Sequence, residues 1–234
     1  MKPIIHLFLL LFVPGLMAQG QVLNLEPKMG PKVDFSPAAQ AAFKKCQAIQ
    51  QKLATISYEQ LSAADKASLE NCPDKESIYD VLGIACDWYC GMGTDPQVTA
   101  SSTLPPQGRY SYEASQAHDL SYKTAWVEGV PGYGIGEYLE YSFAPEIPRI
   151  NTIKVVNGFV LTPSVWESNS RVKKLNMYVN GELFAYLHLK DTSQEQHFSI
   201  PAVIGYAERD NLEELKKKSP WIIRFEIAEV YKGT

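Results

Sequence analysis

Residues Ala117 to Phe143, AHDLSYKTAWVEGVPGYGIGEYLEYSF, decide the fold class. From Glu137 onward, Leu139, Tyr141 and Phe143 alternate with Tyr138, Glu140 and Ser142, the period of two expected of a strand with one buried face. Just before it, Gly132, Gly134 and Gly136 alternate with Tyr133 and Ile135, so the backbone can turn sharply while Tyr133 is presented outward. The stretch therefore predicts a binding loop on a β-sandwich. A dinucleotide fingerprint is a poor reading of the same glycines. It needs a strand before them and a helix after them, because the helix N-terminus holds the pyrophosphate, and here a strand follows.

Downstream the signal stays β. Candidate strands are Gln97 to Thr103, Glu137 to Phe143, Thr152 to Gly158, Val172 to Val179, Leu183 to Leu189, Gln196 to Ile200 and Trp221 to Tyr231. Leu175, Met177 and Val179 alternate with Lys174, Asn176 and Tyr178, and Asn180-Gly181 is a strong hairpin signal. These strands, mostly without helices between them, predict a mainly β protein with an antiparallel sandwich over residues 83–234. Lys216-Lys217-Lys218 closes a short predicted helix begun by Asp210, cations at the negative end of the helix dipole.

Upstream the chain changes character. Residues 1–18 read as a secretory signal peptide: a basic start, an apolar run from Ile4 to Val13 and small residues before a cut after Ala18. That run is too short for a spanning helix, and the protein is expected to be exported. Residues 19–34 are read as a linker. Residues 35–82 are read as a small helical unit: Ser36-Pro37 opens a helix with Phe43, Cys46, Ile49, Leu53 and Ile56 along one stripe. Ser57 with Gln60 and Ser62 with Asp65 resemble further caps, and Lys75 to Leu82 is expected to add a short helix. A unit of this size has little core, so disulfide clipping or docking is expected, and it offers a surface to a protein partner.

Export gives the four cysteines a meaning. The preferred pairing is Cys46 with Cys72, across the helical hairpin, and Cys86 with Cys90, closing a small loop. A zinc site fits poorly, because the spacings lack paired short knuckles. Net charge is −4 over 234 residues, which argues against nucleic acid as a partner because phosphate binding needs a basic stripe.

Several motifs in order carry a family resemblance: Cys86-Asp-Trp-Tyr-Cys90-Gly, Ala100-Ser101-Ser102, HDLSYKTAWVEG, GYGIGE, Asn157-Gly158, Asn169-Ser170-Arg171 and Val179-Asn180-Gly181. From roughly Cys86 to Thr234 the chain resembles the NADase-type glycan-binding domain, a relative of discoidin-like, galactose-binding jelly rolls. The resemblance implies a carbohydrate-binding or adhesion module without glycohydrolase activity of its own, or a toxin-associated translocation scaffold. Discoidin-like relatives place a comparable Thr-x-Trp at a calcium-bearing turn, which would make Asp119 and Thr124 ligands of a structural calcium; Asp119 as a plain turn residue is the alternative. Relatives also follow the strand resembling Trp221 to Tyr231 with another, so the expectation is either a sequence truncated before that last strand or an open edge there.

Sugars present flat C–H faces and rings of hydroxyls, so a site needs an aromatic platform beside planar hydrogen-bonding groups. Tyr112, Tyr133, Phe159 and Trp166 fall in loops or at strand ends, and Asn169 and Arg171 follow Trp166 closely. Arg171 is expected at the centre of the site, with a structural brace as its rival role and the Tyr133 loop as the next candidate. Catalysis finds little support. His188 and His197 sit in strand patterns, His118 is too close to Asp119 to be oriented by it, and no nucleophile elbow or metalloprotease pair is present. Only facing carboxylates, drawn from Glu128, Glu137 and Glu167, would make a hydrolase.

Overall fold

The computed structural model describes residues 21–73, 75–81 and 96–234. The expected signal peptide and the expected Cys86–Cys90 bridge lie outside the described residues. Among the described residues, no helix is long and apolar enough to cross a membrane.

Two sheets face each other across one core. The larger has six strands, β1 (Leu23–Leu25), β3 (Gln97–Ala100), β4 (Tyr138–Phe143), β6 (Arg171–Val179), β7 (Glu182–His188) and β9 (Trp221–Tyr231), in the order β1-β7-β6-β9-β4-β3. The smaller has β2 (Lys28–Met29), β5 (Ile150–Val156) and β8 (Glu195–Ile204), in the order β2-β8-β5. The inward residues of alternating strands meet between them: Phe143, Met177, Ala185, Leu187, Phe198 and Ile223 are all essentially inaccessible. Phe143 stacks on Trp221 with ring centroids 4.1 Å apart. The hairpin at Asn180-Gly181 forms as expected, both residues at positive φ, which the right-handed strand twist favours.

Residues 19–34 differ from the linker reading. Leu23 and Leu25 pack on the core while β1 pairs with β7, the one parallel pairing among the named strands, so the sandwich is not purely antiparallel. The chain then crosses to the second sheet, where β2 pairs with β8. Glu26 meets Lys190 at 2.6 Å and Asn24 meets His188 at 3.1 Å. A strap of three and two paired residues is too short to leave a periodic signal, which is why it reads as a linker. The open edge expected beside the last strand is also absent, because β9 is paired on both sides, with β6 and with β4.

The helical unit forms α1 (Pro37–Leu53) and α2 (Ala63–Leu69), capped by Ser36 and Ser62 through their hydroxyls. Phe43, Cys46 and Ile49 are its buried stripe, and Cys46 is bridged to Cys72. With a sequence separation of 26, the closed loop stabilises the unit by about 3 kcal/mol in the chain-entropy treatment. The helix expected over Lys75 to Leu82 does not form in residues 75–81. The Asp80 carboxylate accepts from Ser77 N at 2.6 Å, diverting the backbone into a turn, and Asp80 then bridges to Ser121. Phe35 packs on Tyr79 and Tyr122, with centroids 4.7 and 5.8 Å away, so the unit docks on the sandwich. In the β domain, α3 (Pro163–Ser168) follows β5, and α4 (Leu212–Lys216) is capped by Asn211 rather than Asp210.

Candidate functional site

β3 ends at Ala100, β4 begins at Tyr138, β5 ends at Val156, β6 begins at Arg171 and β9 ends at Tyr231, so the loops 101–137, 157–170 and 232–234 share one end of the sandwich. That end carries all six sugar-site candidates of the sequence. Two polar braces, each joining distant segments, hold its loops.

The first brace spans the two sheets. Asn157 is buried; its side chain donates to Val172 O at 2.7 Å and accepts from Val172 N at 2.8 Å, tying the end of β5 to the start of β6. Its own carbonyl accepts from Trp166 Nε1 at 2.7 Å. Gly158, at φ +81°, follows because a Cβ there would lie 2.8 Å from Arg171 Cγ and 3.2 Å from the Trp166 ring. Arg171 is 8% exposed. It forms a two-pronged pair with Asp191, Nε and Nη2 each at 2.9 Å, and donates from Nη1 to the carbonyls of Glu167 and Asn169 at 3.1 and 2.8 Å. Its guanidinium lies 4.6 Å from the Trp166 ring centroid. Trp166, Asn169 and Arg171 are thus brought together, but the Trp166 N–H and the Arg171 guanidinium are spent on the protein itself, while Asn169 stays exposed. The side-chain amide of Asn169 donates to Val165 O at 2.7 Å, ending α3.

The second brace explains the Ala100-Ser101-Ser102 motif. The Ser101 hydroxyl donates to Glu137 Oε2 at 2.5 Å, and the Ser102 hydroxyl donates to the same oxygen. Ser101 Oγ accepts from Tyr138 N and Ser102 Oγ from Gly129 N, each at 2.9 Å. Trp126 Nε1 donates to Ser102 O at 3.0 Å, so this ring supports the loop. These donors hold the Glu137 carboxyl below its ordinary range, while burial, helped by the Glu137 charge, pushes the Glu128 carboxyl up. The glycine-rich loop sits on this brace. Gly136 N donates to Ile227 O and Ile227 N to Glu137 O, both at 2.8 Å, fixing the loop to β9. Gly132, Gly134 and Gly136 all have positive φ, and the loop raises Tyr133 to 45% and Ile135 to 63% exposure. Lys232 Nζ lies 4.9 Å from the Tyr133 ring centroid.

The remaining candidates are turned to packing or to closing a turn. Tyr112 is buried and is part of the loop's packing, and Phe159 is half-buried. Asp119 accepts from the Thr124 hydroxyl at 2.6 Å and from Ser121 N at 3.0 Å, spending both oxygens on closing its own turn. Calcium takes six or more oxygens, and among the described residues no group of three His, Cys, Asp or Glu side chains is arranged to hold a metal. This donor set fits a turn, not a calcium site. His197, unpartnered in the sequence pattern, meets Glu195 at 2.9 Å, and the same buried carboxylate accepts from Tyr122 at 2.8 Å, its burial and Glu195 pushing the phenol up. Gly30 of the strap closes over that cluster, where a Cβ would lie 2.6 Å from His197 Nε2. Sequence reasoning missed Glu195 and Asp191, and gave the motif residue Asn157 no role, because Tyr122, Arg171 and Val172 lie 73, 20 and 15 residues from them. It also passed over Tyr110, 36% exposed where it closes a tight Gln107–Tyr110 turn beside Arg109, although Gly108 signals that turn.

The sequence model of the family described as the NAD glycohydrolase translocation F5/8 type C domain matches residues 88–234. No curated protein and no solved structure matches the chain.

Proposed function

From the premise that this chain belongs to the NAD glycohydrolase translocation F5/8 type C domain family, we propose that it is an exported, non-catalytic recognition module that binds glycans through the loop end of its jelly roll. The observation that carries the reading is the Tyr133 loop. An aromatic ring is raised on a backbone pinned to β9 and backed by a Glu–Ser brace, so the platform loses little entropy when a ligand arrives. Lys232 beside the ring and Arg109 beside Tyr110 supply hydrogen-bond donors at the same end. The Cys46–Cys72 bridge supports export, because such bonds persist in oxidising compartments.

The non-catalytic part of the proposal rests on the family description and on how the carboxylates are used. Glu137 is engaged by two serines, and Glu128 lies against Gly134, where a Cβ would meet its Cγ at 2.6 Å. A second reading, docking of a protein during translocation, is favoured by the family description and by the apolar residues Val130 and Ile135 flanking Tyr133.

A glycan array on the mature protein, read beside the Tyr133→Ala and Arg171→Ala variants, tests the proposal. Binding that is lost in Tyr133→Ala and kept in folded Arg171→Ala supports it. An array with no positive glycan, together with capture of a protein partner that Tyr133→Ala abolishes, favours the second reading.

A further inference from the structure

One row of side chains crosses the outer face of the six-stranded sheet at right angles to its strands. The register pairs Asn24 with Tyr186, Tyr186 with Asn176, Asn176 with Glu226, and Glu226 with Tyr138, linking β1, β7, β6, β9 and β4. Directly paired residues share a face, and their chain neighbours Ala185, Leu187, Leu175, Met177 and Ile227 fill the core, so this row points away from it. With strands about 4.8 Å apart, Tyr186 and Tyr138 stand about 14 Å from one another.

The row's chemistry is specific. Asn176 Nδ2 donates to Glu226 Oε1 at 2.9 Å, and Tyr178 donates to the same oxygen at 3.3 Å, so the two donors fix Oε1 and leave Oε2 its accepting capacity. Lys174 lies 4.0 Å from the centroid of Tyr186, and the Arg224 guanidinium lies 4.3 Å from that of Tyr138. Each cation covers one ring face and fixes the ring, leaving the other face and the hydroxyl for a ligand. Among the described residues, the Tyr138 and Tyr186 hydroxyls and the Asn176 side-chain carbonyl have no hydrogen-bond partner. Arg224 pairs with Glu140 at 2.6 Å and is also held in its charged form by the nearby Glu226 carboxylate, so around the row Glu140 and Glu226 stand against Arg224 and Lys174 and the charges are matched.

We propose that this face is a second carbohydrate-contact surface, taking a neutral linear oligosaccharide laid across the strands, with Tyr186 and Tyr138 as end platforms and Asn176 and Glu226 bonding hydroxyls between them. Two rings separated by two hydrogen-bonding side chains match the alternating C–H faces and hydroxyls of such a chain. With its charges matched, the face has no net charge to recruit a sulfated or sialylated sugar, and its hydroxyls and amide suit a neutral chain. The inference shares its ligand class with the proposed function but places the contact on a surface distinct from the loop end.

The test is amide shift mapping on the full chain, titrated with cellohexaose, xylohexaose and mannohexaose, each against its disaccharide. The expected result is saturable shifts in residues 138–140, 174–178, 184–188 and 224–228 for at least one hexasaccharide, with affinity at least tenfold weaker for the disaccharide. Tyr186→Ala should weaken that binding about tenfold and Tyr186→Phe much less, whereas Tyr133→Ala should leave it unchanged. Shifts confined to residues 103–112, 128–136 and 157–170 would overturn this proposal while leaving the loop reading intact. Shifts on the sheet face with none at the loops would keep it and remove the loop reading. Face shifts that grow with protein concentration without sugar would assign the surface to a second copy of the chain and overturn it.

Discussion

The Arg171 cluster and the Tyr133 loop crown the same end of the sandwich, are built from similar residue types, and differ in where their polar capacity goes. Arg171 is 8% exposed and spends its donors on Asp191 and on two carbonyls, with Trp166 stacked beside it. Tyr133 is 45% exposed, and the polar bonding beneath it is made by backbone and by Glu137. An aromatic–arginine pair is therefore no sign of a ligand site in itself. What distinguishes platform from brace is whether the hydrogen-bonding groups are satisfied by the protein.

The largest expected effect comes from breaking the brace. Arg171→Ala leaves the Asp191 carboxylate and two loop carbonyls without their donor and opens space beside Trp166, so unfolding free energy should fall by about 3 kcal/mol. Denaturant unfolding measures the loss. Glycan affinity per folded molecule should stay within twofold, and a large affinity loss at unchanged stability would reverse the roles assigned to the two regions.

Next in size is strain placed in the platform. Gly134 has a φ of +65°, and a Cβ there would meet Glu128 Cγ at 2.6 Å. Gly134→Ala should therefore cost about 1–2 kcal/mol and loosen the loop, lowering glycan affinity together with stability. Gly132, with nothing within 4 Å of its added Cβ, is the control for φ alone. If both substitutions behave alike, the packing of Glu128 under the loop has no part in shaping it.

The strands were legible in the sequence because a two-residue period survives in any register: all seven expected strands formed, β8 extending from Glu195 to Ile204 and β3 stopping at Ala100. The resemblance to discoidin-like jelly rolls also held at the level of the family. The site was less legible. The type and position of Arg171 suggest an exposed fork, but Asp191, twenty residues away, decides its role, and no local pattern announces that pairing. Likewise the motif serines show themselves as motif residues, while their shared partner Glu137 lies at |i−j| of 36 and 35. The strap at Leu23–Leu25 is three residues long and leans on β7 for its whole meaning.

A smaller effect isolates the platform from the fold. Tyr133→Ala removes an exposed ring whose main neighbour is the Lys232 ammonium, so thermal stability should change by less than about 0.5 kcal/mol. Binding should fall about tenfold, equivalent to about 1.4 kcal/mol, a usual loss for a single aromatic contact. Wild-type affinity in this variant would leave the loop end without its central contact, whatever the fate of Arg171→Ala.

The smallest expected effect separates two carboxyls that sit under the same loop and respond oppositely to pH. Hydrogen bonds from Ser101 and then Ser102 lower the Glu137 value in the folded protein, so its contribution is complete above the unfolded carboxylate range and is lost as pH falls through the lowered folded value. Burial, and more weakly the Glu137 charge, raise the Glu128 value, so its ionised form opposes folding at neutral pH and that cost disappears as pH falls through the raised folded value towards the unfolded one. Because both groups are partly exposed, each effect should be at most about 1 kcal/mol. At pH 7, Glu137→Gln should melt below the parent and Glu128→Gln above it. On acidification the Glu128→Gln advantage should vanish first, near the ordinary carboxylate range, and the Glu137→Gln deficit should shrink only at lower pH. Thermal melts of the two variants and the parent across pH 3 to 7 provide the measurement. Shifts of the same sign in both variants would mean that the serine pair and the burial under Gly134 do not set these carboxyls apart, and that the loop rests on something other than the Glu137 brace.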